Sequence, residues 1–276
     1  MTKKLTLLAC AAFLMFSCEE IAPRLNPGSG GTPNPTDQQR HVLVEEFTGV
    51  RCVNCPAGSD AIQTLKGIYG ERLIAVSIHT GFFAPPYPES TQDFRIPEGA
   101  SLLSYLGEPL GYPTAVVNRK LFSGETDLQL GQSQWPGFVA EEVAIAPEVV
   151  VGITKVYNPN TRVLEAQISL DVLENIDEND VRLSVMITED KVTDTQLTPA
   201  GKTNNYLHRH VLRDMMSAYD GEPIAGPLAA GDELTRTFNF TLPQGWDDDH
   251  CYIVAFLHHS GAGKAVIQAQ EVKVVN

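Results

Sequence analysis

The 276-residue sequence is poor in cysteine and in basic residues, and it has no hydrophobic run long enough to be a membrane span. Five cysteines are too few for a disulfide-stapled scaffold, and an odd number makes individual positions matter more than the count. With 20 Lys and Arg against 34 Asp and Glu, the net charge of −14 lacks the basic surplus that displaces counterions from phosphates, so no nucleic-acid partner is expected. There is no complete phosphate-binding loop despite Gly201-Lys202-Thr203, no His-Glu-x-x-His and no Gly-x-Ser-x-Gly, and no cofactor is expected. What is present, 43% hydrophobic and 20% charged residues, excludes global disorder and suffices for two domains with cores.

Lys3 and Lys4 precede an apolar stretch from Leu5 to Phe16, broken only by Thr6 and closed by Ser17-Cys18. A bilayer core needs about 20 apolar residues, so residues 1–17 read as a secretory signal rather than a permanent span. A signal ending in cysteine resembles the bacterial lipoprotein type, and that resemblance implies lipidation at Cys18, with the membrane as a partner through the lipid. Leu7-Leu8-Ala9-Cys10 fits the pattern locally, but cleavage there leaves almost no apolar core to the signal. Residues 18–40, with Pro23, Pro27, Pro33, Pro35, Gly28, Gly30 and Gly31, read as a flexible tether spanning on the order of 25 Å. Outside the cytosol paired thiols can rest oxidised.

Residues 41–147 read as a first folded unit. The apolar run Val42-Leu43-Val44, followed by Glu45-Glu46-Phe47, leads into Arg51-Cys52-Val53-Asn54-Cys55-Pro56. Ala61, Ile62, Leu65, Ile68 and Tyr69 then recur at helical spacing up to Gly70. The dithiol therefore falls at a helix amino terminus, where unpaired N–H groups favour a thiolate, so Cys52 can attack a disulfide and Cys55 can resolve the mixed disulfide. A Cys-x-x-Cys is also half of a tetrathiolate zinc site, but no second one exists, and no metal site is assigned. Arg72–Thr80 and Thr114–Val117 read as further strands, the stretch between them as irregular with a short helix near Thr91–Phe94, and Pro136–Ala146 as a helix.

A strand, a Cys-x-x-Cys helix and Tyr112-Pro113-Thr114 opening a later strand together resemble the thioredoxin-like superfamily. The resemblance implies an α/β domain, a cis Pro113 that lies against the dithiol and binds the substrate chain with Tyr112, and a buried carboxylate at Glu46. Glu46 shares a strand face with Val42 and Val44; burial there would raise its pKa and suit it to exchange protons with Cys55, and the alternative is a solvent-facing strand end. Two departures stand out. Arg51 replaces the aromatic before the first cysteine, and proline follows the second cysteine as Pro56 instead of lying between the two. Potentials in this superfamily span about −270 to −120 mV, and Val53-Asn54 leaves reductase, oxidase and isomerase open.

Residues 148–276 alternate as short strands, as in Leu164, Ala166, Ile168, Leu170, Val172 and again Val181, Leu183, Val185, Ile187, which reads as an all-β immunoglobulin-like sandwich. A short helix is possible near Val211–Ala218. His208 and His210 read as sharing a polar strand face, Asp247-Asp248-Asp249 as a solvated turn, and Cys251 as a small buried residue. The whole resembles the outer-membrane lipoprotein family related to the twenty-eight-kilodalton outer-membrane protein of Gram-negative bacteria. Its specific part is Glu45–Pro56, and the carboxyl half matches in texture. The expected function is a membrane-tethered thiol–disulfide oxidoreductase with catalytic Cys52, Cys55 and Glu46, acting on protein thiols or disulfides. The alternatives are a non-catalytic envelope binding or assembly lipoprotein with a structural Cys52–Cys55 disulfide, and copper delivery through Cys52, Cys55 and His79.

Overall fold

Strand β1 (Val42–Thr48) is buried along its whole length. Its alternate residues enter two different apolar layers, Leu43 and Phe47 on one face and Val42 and Val44 on the other. The computed structural model describes residues 39–275, all within one compact unit. The signal at 1–17, Cys10, Cys18 and nearly all of the tether lie outside the described residues. Arg40, assigned to the tether's end, is instead buried. Its guanidinium reaches the Ile267 carbonyl, the Val266 carbonyl at 2.8 Å and Glu142 at 3.0 Å.

After the cysteine turn comes α1 (Cys55–Tyr69), with Pro56 in its first turn. It stops at Gly70, whose φ of 59° is a left-handed conformation that glycine adopts freely and whose N–H donates to the Lys66 carbonyl. Strand β2 (Leu73–His79) returns parallel to β1, with Val42 opposite Leu73 and Thr48 opposite His79. Helix α2 (Pro97–Leu106) follows, then β3 (Thr114–Val117), antiparallel to β1, the short β4 (Leu130–Gly131), and α3 (Trp135–Val143). Helices α1 and α3 cover one sheet face through Ile62, Leu65, Trp135 and Val139, and α2 covers the other through Leu102, Leu103 and Leu106. The short helix expected at Thr91–Phe94 does not form. The chain coils helically slightly later, where Pro97 begins the helix and Glu98 faces its positive end.

The carboxyl half supplies β5 (Val149–Asn158), β6 (Val163–Val172), β7 (Val181–Glu189), β8 (Val192–Thr198), β9 (Gly201–His208), β10 (Val211–Met215), β11 (Glu222–Pro223), β12 (Glu233–Thr241), β13 (Cys251–His259) and β14 (Val266–Lys273). The segment given a possible helix, Val211–Ala218, contains β10. It pairs antiparallel with β7 and joins β2 in parallel where Val211 stands opposite Ser77. One sheet therefore runs β14-β13-β7-β10-β2-β1-β3-β4, with β11 beside β7.

This continuity joins the β-rich carboxyl half to the first unit through one sheet. The change of texture after residue 147 is not a break in the sheet. A three-stranded sheet, β12-β6-β5, lays Leu164, Ile168 and Leu170 onto Val185, Ile187, Ile253 and Ala255 of the large sheet. Both facing β layers are built from residues 148–276, and the larger one continues through β10 into β2 and the strands around the cysteines. Strands β8 and β9 pair with each other as a two-stranded ribbon outside both sheets. Among the described residues no helix is long and apolar enough to cross a membrane.

Candidate functional site

Cys52 and Cys55 are joined by a disulfide, with Cα atoms 5.4 Å apart. The Cys52 N–H donates to the Gly49 carbonyl, and Cys55, whose N–H donates to the Cys52 carbonyl, opens α1. The pair thus stands at the amino end of a 15-residue helix, where the dipole stabilises whichever sulfur becomes a thiolate when the bond opens. Both cysteines are only 3% exposed.

Glu46 is buried, 1% exposed, on the face shared with Val42 and Val44. Ser77 Oγ donates to its Oε2 at 3.0 Å, while Oε1 has no hydrogen-bond partner. Burial pushes this carboxyl up to about 8, against the opposing pull of the Ser77 hydrogen bond. Near neutral pH it therefore carries a proton. Helix α1 approaches it closely because residue 58 is glycine: a Cβ there would lie 2.6 Å from Glu46 Oε1 and 2.8 Å from the Pro113 Cβ. The Tyr112–Pro113 peptide is cis, and the Tyr112 ring meets Phe83 at 5.5 Å. Glu46, Pro113 and the cysteine helix thus converge as the family resemblance implied.

A cavity of about 20 Å³, the size of one water, is lined by Cys55, Glu46, Ser77, His79, Tyr206 and His208 among others. His79 and His208 approach with ring centroids 5.5 Å apart, and both pack against Phe94. Burial drives His79 well below the usual histidine range and His208 down to about 4, so both are neutral imidazoles. His79 Nδ1 and His208 Nε2 have no partners. The shared strand face expected for His208 and His210 does not exist. His208 ends β9, whereas His210 lies past it in a left-handed turn, φ 51°, facing Gln63. Among the described residues no three His, Cys, Asp or Glu side chains converge as a metal requires.

The β8–β9 ribbon covers the disulfide. Gln196 Nε2 donates to the Cys52 carbonyl at 3.0 Å, and the Leu197 N–H donates to the Val50 carbonyl at 2.8 Å. On the opposite flank Arg51 spends its donors on the Pro85 and Pro86 carbonyls, at 2.7 and 2.6 Å, and stacks on Tyr87. Sequence reasoning missed Gln196, Tyr206 and Gly58. Gly58 had a signal, a glycine inside a helical pattern, which marks close approach. Gln196 had none, because 144 residues separate it from Cys52. Cys251 is fully buried and its thiol is pushed up to about 12 by that burial, the behaviour of a packing residue. Asp248 accepts from the Tyr157 hydroxyl, and Asp247 accepts from the Asp249 N–H, so the acidic run is a hydrogen-bonded turn.

Parallel β1 and β2 around the cysteine helix, antiparallel β3 and β4, and a cis proline beside the dithiol define a thioredoxin-like arrangement, here extended by a β-rich carboxyl half. The family model for outer membrane protein Omp28 matches residues 106–276, and the chain belongs to that family. It is an outer-membrane protein of the cell envelope. The match begins at the end of α2 and takes in Tyr112 and Pro113 but not Cys52 and Cys55, whereas the sequence resemblance had its specific part at Glu45–Pro56. Among solved structures, the chain is similar to HBP35 of Porphyromonas gingivalis, with 22% identity and a TM-score of 0.68 over 86% of this chain and 76% of that one. It also resembles a protein of Agrobacterium tumefaciens, with 15% identity and a TM-score of 0.53 over 85% and 95%. A domain of the outer membrane lipoprotein Omp28 from Porphyromonas gingivalis aligns at 16% identity over 47% of this chain and 90% of that one, with a TM-score of 0.33. The first two likenesses speak to the fold. No curated protein matches the sequence significantly.

Proposed function

We propose that this chain is an extracytoplasmic thiol–disulfide oxidoreductase, tethered to the outer membrane by a lipid on Cys18. The observation that carries the reading is the convergence of the Cys52–Cys55 disulfide, at the amino end of α1, with a protonated, buried Glu46 and cis Pro113. In the step this supports, a substrate thiolate attacks the Cys52 sulfur. The Cys52–Cys55 bond breaks, the electron pair leaves on Cys55, and Glu46 supplies the proton across the small cavity they share. A second substrate thiol then attacks the mixed disulfide, leaving the substrate oxidised and this pair reduced. Run backwards, the same steps reduce a substrate disulfide, with Glu46 taking the Cys55 proton. Tyr112 and Pro113 line the approach of the substrate chain.

A second reading, an envelope binding or assembly protein with a fixed structural disulfide, is favoured by the near-complete burial of Cys52. One pair of measurements separates them: the reduction potential of the pair, and turnover of a scrambled disulfide substrate by the full chain and by Cys52→Ser. Loss of turnover in the variant is expected. Equal turnover in both, or a pair that mild reductant cannot open, overturns the redox reading.

A further inference from the structure

We propose that the β8–β9 hairpin sets the substrate class of the Cys52–Cys55 pair: small thiols reach the disulfide with the hairpin seated, and a protein dithiol reaches it only after the hairpin lifts. This rests on the redox reading above and names the size selection at the same site.

The hairpin is held by polar groups that find their partners on the redox unit. Gln196 is buried and divides its amide between the Cys52 carbonyl at 3.0 Å, the Leu197 carbonyl at 2.9 Å and the more distant Gly49 carbonyl at 3.4 Å. Asp194 is also buried, and its carboxylate accepts from the N–H groups of Thr91 at 3.1 Å and Gln92 at 2.5 Å. The Leu197 N–H adds one backbone bond to the Val50 carbonyl. An amide and a carboxylate buried without partners are costly, so these side chains select the seated position over any displaced one.

The same geometry makes the hairpin the separable part of the cover. It hydrogen-bonds as a strand only to itself, and a lone two-stranded ribbon is marginal in water. Its outer residues Asn204 and Asn205 are polar and exposed, and it is joined to the redox unit by side chains alone apart from Leu197: the bonds above, Lys202 paired with Glu89, and His208 packed on His79 and Phe94. Lifting it breaks these side-chain contacts but leaves every pairing of the nine-stranded sheet intact, a local opening that costs less than global unfolding. Seated, it leaves Cys52 with 3% exposure, too little for the sulfur of a folded protein to align with the S–S bond.

The test compares two dithiols that perform the same balanced exchange, each losing two electrons and two protons to the Cys52–Cys55 pair as it closes its own disulfide. Rates of reduction of the oxidised full chain by dithiothreitol and by a reduced thioredoxin are followed by thiol alkylation and mass. Gln196→Ala is expected to raise the rate with the protein dithiol about tenfold while changing the dithiothreitol rate less than about twofold, the loss of one buried anchor shifting the open fraction. In the unaltered protein, under conditions where exchange is limited by opening, hydrogen exchange of the Leu197 amide should proceed at least as fast as the limiting rate of reduction by the protein dithiol. That measurement decides the matter if the variant does not fold. A protein dithiol that reduces the unaltered pair faster than Leu197 exchanges, or a variant that changes both rates alike, overturns the proposal. If the rates behave as expected but reduced protein passes no electrons to a substrate disulfide, the redox reading fails and the hairpin's role stands.

Discussion

The two arms of the nine-stranded sheet are stabilised differently. In the arm around the disulfide, the packed layers hold charged and ionisable groups: Glu45 is paired bidentately with Arg119 at 2.7 and 2.6 Å with both side chains fully buried, and Glu46 and His79 have partnerless atoms. In the other arm, β7 and β13 meet β12-β6-β5 through an aliphatic layer running from Val149 and Leu164 to Ile253 and Leu257, with the buried Glu189–Arg213 pair at the Cys251 end of β13. Buried polar groups cost stability unless every atom is satisfied, whereas interdigitated aliphatic side chains contribute it. Buried polar atoms without a hydrogen-bond partner occur in both arms, at Thr188, Glu189, Arg213 and Glu271 as well as beside the dithiol; what sets the second arm apart is its aliphatic layer, which contributes the stability these groups cost.

Three measurements would break or sharpen this contrast. The largest effect is the pH dependence set by Glu46. Its carboxyl stands near 4.5 in the unfolded chain and is pushed up to about 8 in the fold. Between those values the folded state holds the proton and the unfolded state does not, so stability falls as pH rises, by on the order of 4–5 kcal/mol in total. Denaturant midpoints across that window should drop for the unaltered protein and flatten for Glu46→Gln; a Glu46→Gln profile as steep as the original would mean that the buried carboxyl is not the cause.

Next, Arg119→Ala leaves Glu45 buried without its cation and should cost about 3–5 kcal/mol in chemical denaturation. A cost below 1 kcal/mol would show that this arm tolerates an unpaired charge. Smallest, Ile253→Val in the apolar arm should cost about 0.5–1.5 kcal/mol and leave the reduction potential of Cys52–Cys55 unchanged. A shift in potential would couple the arms more tightly than packing requires.

The first arm was largely legible in the sequence because local patterns and tertiary demands agree there. β1, β2 and β3 are short, mostly apolar runs, as strands buried on both faces are, and α1 repeats apolar residues at helical spacing until Gly70. Burial of Glu46 was implied by the family resemblance, while the residues alone left a solvent-facing strand end open, since two adjacent acids point to opposite faces; in the fold neither meets water. Segment 211–218 misleads because Val211, Leu212, Met215 and Met216 are spaced like a helix face, yet pairing with β7 on one side and Ser77 on the other imposes a strand. β8 and β9 carry Thr193, Asp194, Gln196, Thr203 and Asn204 with little apolar alternation, so no pattern marks a ribbon that pairs only with itself. The cover over the disulfide was invisible for the same reason.

The attachment of Arg40 to Glu142 and to the carbonyls of Val266 and Ile267 gives the amino-terminal tether proposed above a mechanical meaning. A pull on the tether arrives first at that guanidinium and passes into α3 and β14 before it loads β1. Within β1 the hydrogen bonds to β2 and β3 lie across the direction of pull, so they resist in shear and must give way together instead of unzipping one at a time. Drag on the tether is thereby borne before it reaches Cys52.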